Sequence, residues 1–125
     1  MRIKMNMKTI APALFLLFIF GCKKADEIAP EIVVTSPQQN QVFASGQTVT
    51  IKATVSDNEG LHMVHVIAVD NTGGHWVHSE DHVDGKSFEV NKTFIANPAK
   101  TYTITIEAAD HDDNTVTKEI IVSSN

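Results

Sequence analysis

The chain is 125 residues long, carries a formal charge of −5 and contains one cysteine. A lone cysteine excludes an intramolecular disulfide, so the fold must be held by its own core. The acidic balance argues against nucleic acid as a partner, because affinity for a phosphate backbone rests on clustered Lys and Arg.

The first segment reads as an address. Arg2, Lys4 and Lys8 make a basic start, Ile10 to Phe20 form an apolar run, and Gly21 precedes Cys22, the layout of a bacterial secretory signal. The apolar run is too short to span a bilayer comfortably. The tetrapeptide IFGC resembles a lipobox, the motif cut before the cysteine of bacterial lipoproteins. That resemblance implies a signal peptide over residues 1–21 and a lipid on Cys22. Residues 22–125, the size of one domain, then carry a formal charge of −8, since three positive charges leave with the signal.

The next stretch, CKKADEIAP over residues 22–30, reads as a polar tether. It resembles the charged signals that follow the lipidated cysteine in surface-exposed lipoproteins of Bacteroidetes, with Lys24, Asp26 and Glu27 carrying the match. This resemblance implies an outer-membrane lipoprotein displayed at the cell surface, its membrane contact made through Cys22. Anchoring that faces the periplasm is the alternative.

From residue 31 to residue 125 the pattern is β. EIVVTSP, QTVTIKATVSD, LHMVHVIAVD, SFEVNKTFI, TYTITIEAAD and TVTKEIIVSS are rich in Val, Ile, Thr and aromatics, with period-two alternation and Gly, Pro, Asn and Asp between them. No segment offers a helical stripe of useful length. Short strands at this spacing predict an all-β fold, an antiparallel β-sandwich of about seven strands, because a sheet with one apolar face needs a second sheet to cover it. APEIVVTSP, ATVSDNEGL and YTITIEAADHDDNTVTKEIIV resemble the opening strand, second strand and closing hairpin of cadherin-like and related immunoglobulin-like bacterial modules. Such sandwiches host adhesion, binding and spacer roles alike. A narrower stretch, LHMVHVIAVDNTGGHWVH, is similar through Gly74, His75 and His78 to an uncharacterised family of small Bacteroidetes lipoproteins. The resemblance implies a metal site at those histidines.

Five of the six histidines fall between positions 62 and 82. If residues 61–70 pair with a returning strand 75–82 across NTGG, Asp70 faces His75, Ile67 faces His78 and His65 faces Glu80. His78, Glu80 and His82 then share one side with His65, while Val64, Val66 and Ala68 face the core. His78 and His82 would stand roughly 13 Å apart along a straight strand, too far to share one ion unless HSEDHVDG bends. Imidazoles beside carboxylates suit Zn²⁺ or Cu²⁺. The expected ligands are His65, His75, His78 and His82, with Glu80 or Asp81 as a carboxylate and His111 as an outlier.

A second constellation is expected where the SDNEG and DHDDNT turns meet at one end, gathering Asp57, Glu59, Asp110, His111, Asp112 and Asp113 around His62. Oxygen ligands there, from Asp57, Asp110 and Asp112, would suit Ca²⁺. Nothing points to catalysis: the chain has no cysteine nucleophile beyond the expected lipid site, no glycine-rich phosphate loop, and Ser79 beside His78 does not make a triad. The leading expectation is a lipid-anchored binding protein that captures a transition metal, with an envelope protein as a further partner. The alternatives are a surface module presenting Trp76, Ile67 and Val69 to a protein or glycan, and a Ca²⁺-stiffened spacer.

Overall fold

The computed structural model describes residues 21–125, so the signal expected over residues 1–21 lies, but for Gly21, outside the described residues. Six strands follow in order: β1 (Glu31–Ser36), β2 (Val42–Phe43), β3 (Thr48–Asp70), β4 (His75–Ile95), β5 (Thr101–Asp110) and β6 (Thr115–Ser124). The two longest serve both faces of the sandwich. The first half of β3 pairs with β1 and with the second half of β4, from Thr48 opposite Ile95 to Ser56 opposite Ser87. Its second half lies between the first half of β4 and β5, and β5 continues to β6, along whose end β2 runs parallel.

Burial explains how one strand can do this. In the first half of β3 the odd positions Val49, Ile51, Ala53 and Val55 face the core, whereas in the second half it is the even ones, Val64, Val66 and Ala68. Side chains alternate with period two, so such a switch requires extra residues in the ladder. They begin at Asp57–Gly60: between the pairs Ser56/Ser87 and Leu61/Gly85, β3 spends four residues and β4 one. A second shift follows the buried Leu61, where β3 spends one residue and β4 two before Met63 meets His82. SDNEG, expected as a turn between two strands, is therefore a bulge within one. The Asp57 carboxylate fixes it, Oδ2 accepting the amides of Glu59 at 2.9 Å and Gly60 at 2.7 Å. Gly60 supplies a φ of 149° that a side chain would resist.

The two inward faces make one core, and every member of it lies between Ile32 and Val122. Among the described residues the core is thus carried by the strands and loops from residue 32 to residue 122. Tyr102, fully buried, packs its ring 4.9 Å from that of Phe94 and 5.9 Å from that of Trp76. Its hydroxyl accepts the Asn97 amide at 2.7 Å, the corner by which a tyrosine early in a late strand ties down the preceding loop of immunoglobulin-like sandwiches. Tyr102→Phe keeps the ring but strands that amide, and we expect a loss of about 1 kcal/mol. Thermal unfolding followed by circular dichroism should show a midpoint lower by about 4–8 °C.

Candidate functional site

The outer face of β3 and β4 carries the histidines. Their register is as the spacing predicts at two points, with His65 opposite Glu80 and Ile67 opposite His78. It differs at the third. The ladder slips between Ala68 and Val69, so His75 faces Val69 and not Asp70. Asp70 instead turns inward, where it is 7% exposed, to organise the hairpin turn.

HSEDHVDG runs as strand within β4, its ladder regular from His78 to His82 and shifted only between His82 and Gly85. His78 and His82 accordingly part company. His78 meets His65 with ring centroids 5.2 Å apart, while His82 lies 5.7 Å from His62, which in turn lies 5.0 Å from His111. The Nε2 of His65 is sealed from solvent and has no hydrogen-bond partner. Glu107 on β5 and Glu80 on β4 are the cross-strand partners of His65, one on each neighbouring strand. Glu80 Oε1 also comes within 3.8 Å of His82 Nε2, and Asp81 pairs with Lys92 at 3.4 Å. His75 sits exposed beside the turn. The expected set therefore divides into a His65–His78 pair and a His82–His62–His111 string.

The hairpin turn shows what a fully satisfied carboxylate looks like in this fold. Asp70 Oδ1 accepts the Thr72 amide and hydroxyl, each at 2.7 Å, and the Gly74 amide at 3.0 Å; Oδ2 accepts the Trp76 indole N–H at 2.9 Å. Lys100 adds an ion pair at 3.5 Å. Gly74 admits the carboxylate because a Cβ there would lie 2.5 Å from Asp70 Oδ2. Trp76 is consequently a packing residue, half-buried against Phe94 and Tyr102. The bond to Asp70 draws the indole toward the core, while Ile67 and Val69 stay half-buried on the outer face.

At the opposite end the bulge of β3 and the β5–β6 turn come together, as the sequence predicts. Asp110 is 2% exposed. Its Oδ1 accepts the amides of Asp112 and Asn114, at 2.8 and 2.9 Å, and its Oδ2 the Asn114 side-chain amide at 2.7 Å. Burial alone would raise the Asp110 pKa; these donors and the His111 charge outweigh it and hold the group below its ordinary range.

A third partner at this end was not expected. The tether folds back onto it, and residues 23–28 line a cleft of about 510 Å³ together with Glu59, Gly60 and His111. The Asp26 amide donates to Asp112 Oδ2 at 3.1 Å, its carbonyl accepts from Asn114 Nδ2 at 2.9 Å, and its Oδ1 accepts from Asn58 Nδ2 at 3.3 Å. Asp26 thereby joins Asp57 and Asp110, one oxygen of each within 4.8 Å of the others. No other group of three or more metal-ligating side chains converges so closely among the described residues. Asp112, expected as a ligand, lies outside that close group and accepts the tether amide on Oδ2. In the sequence Asp26 was legible only as part of a sorting signal.

This sandwich, with its corner tyrosine and bulged long strands, has a counterpart among known proteins: residues 30–117 match the family model described as a bacterial Ig domain. The chain belongs to that family. No curated protein matches it. Bacterial Ig domains are typically structural or adhesion modules, commonly surface-associated, and the fold by itself assigns no finer role.

The bonds to Asp70 in this Ig domain also set its response to acid. The Thr72 side chain first, then Trp76 and the Gly74 amide, hold its pKa far below the ordinary carboxylate range. The stabilisation is complete above the unfolded pKa of about 4 and fades as pH falls below it. Melting curves between pH 7 and pH 2 should thus show a midpoint that drops below about pH 4. Asp70→Asn lowers the midpoint at neutral pH and flattens its dependence across the acid window.

Proposed function

We propose that this Ig domain is a lipid-anchored, non-enzymatic spacer of the cell envelope that stands on a docked base and presents its flanks to an envelope partner. The observation that carries the reading is the fastening of Asp26, whose main chain and side chain are bonded to Asn58, Asp112 and Asn114 across 32 to 88 residues of sequence. A free polar tether would let a domain swing. A docked one restricts it. Four residue steps separate Cys22 from Asp26, so a lipid on Cys22 would hold the acidic end within about 14 Å of the bilayer surface. The IFGC motif and the exposure of Cys22 support acylation at that position.

Two measurements test this. Labelled palmitate should enter the wild-type chain in a bacterial host and fail to enter Cys22→Ser, which should leave the membrane fraction. A dye on the sole cysteine of the unacylated chain from Cys22 should depolarise at the tumbling rate of the whole domain, and Asn58→Ala/Asn114→Ala should restore fast local motion. A dye already moving freely in the wild type would count against the docked base.

A second reading is favoured by the unpartnered Nε2 of His65 beside His78: capture of Zn²⁺ or Cu²⁺ on the outer face, with Glu80 or Glu107 completing the ligands. Neutral imidazole is the ligand, so affinity should fall as pH drops below about 6.5. In calorimetry His65→Ala/His78→Ala should lose binding at least tenfold, and His75→Ala should not. Equal binding by all three proteins would remove this reading.

A further inference from the structure

We infer that Asp26, Asp57 and Asp110 form a calcium site that clamps the tether to the base of the Ig domain. Proximity of three carboxylates alone would not carry this; two orphaned oxygens do. Asp57 is 8% exposed, and while its Oδ2 holds the bulge, its Oδ1 is sealed from solvent and accepts no hydrogen bond. Oδ2 of Asp26 is in the same condition. Among the described residues none of the three carboxylates takes part in a salt bridge.

A buried oxygen without a donor is costly, and like charges this close oppose each other's ionisation. Asp110 nonetheless stays ionised, through its own donors. A cation between the three relieves both penalties at once. The donors are all oxygens, which selects a hard cation over Zn²⁺ or Cu²⁺. Calcium accepts six to eight oxygens in adaptable geometry, while magnesium demands a tight octahedron and gives up its water reluctantly. Asp26 and Asp110 line the cleft with Glu59 and Asp112, so water can reach the ion from that side and complete the shell.

The ligands come from the tether, the β3 bulge and the end of β5. An ion there binds the folded arrangement and not the unfolded chain, and so stabilises it in proportion to occupancy. The site goes beyond the docked base, which has hydrogen bonds of its own to Asp112 and Asn114, and it does not require acylation.

The test is calorimetry and thermal melting of the chain from Cys22 after stripping with EDTA. Calcium should bind as one equivalent with a Kd of about 0.1–1 mM, in the range of extracellular modules, and raise the melting midpoint progressively with concentration. Magnesium should bind at least tenfold more weakly. Asp57→Asn and Asp26→Asn should each weaken calcium binding at least tenfold, and Asp113→Asn should leave it unchanged. Asp26 lies outside the core, so its variant reports even if Asp57→Asn does not fold. No calcium-dependent shift up to about 10 mM, or equal shifts in wild type and Asp26→Asn, overturns the site. Dye mobility on Cys22 without calcium reads the docked base separately, so the two ideas fail independently.

Discussion

The inward face of β3 must change from odd to even positions partway along, because one strand covers both sheets of the sandwich. Everything at the acidic end follows from that constraint. The extra residues Asp57–Gly60 leave backbone amides outside the ladder, and the Asp57 carboxylate takes two of them. A carboxylate that caps a bulge inside a sandwich is necessarily buried. The β5–β6 turn meets the bulge at this end, where Asp110 does the same service for Asp112 and Asn114, and so two buried acids lie side by side.

The carboxylates of this fold divide by how completely they are used. Asp70 and Asp110 have donors on both oxygens, and those donors account for their lowered pKa values. They are structural groups that hold turns. Asp57 and Asp26 are each satisfied on one oxygen only. The difference lies in the donors nearby: Thr72, Trp76 and Asn114 reach the first pair, while Lys23 and Lys24, the nearest cations in sequence to Asp26, form no ion pair with it among the described residues.

Much of the architecture is legible in the residues because alternation and turn chemistry are local signals. The strands at 31–36, 101–110 and 115–124 fall where Val, Ile and Thr alternate, and two of the three cross-strand pairs around His65 follow from the strand spacing alone. The rest fails for identifiable reasons. SDNEG has the composition of a turn, and only the parity of the core positions on either side reveals a bulge. The pairing of His75 is displaced by one because Asp70 turns inward to its four donors, a choice made by the side chain and invisible in the alternation. Trp76 suits either packing or an exposed contact by residue type, and its N–H bond to Asp70 selects packing.

The docking of Asp26 is the least legible feature, because its partners lie as far as Asn114 and its own stretch has no strand pattern. Its amide should therefore be the most direct witness to the account. Hydrogen exchange measured by NMR on the chain from Cys22 is predicted to show the Asp26 and Ile28 amides, donors to Asp112 and to Asp26 itself, exchanging at least tenfold more slowly than those of Lys23 and Lys24. Exchange of all four at the rate of an unstructured peptide would contradict it.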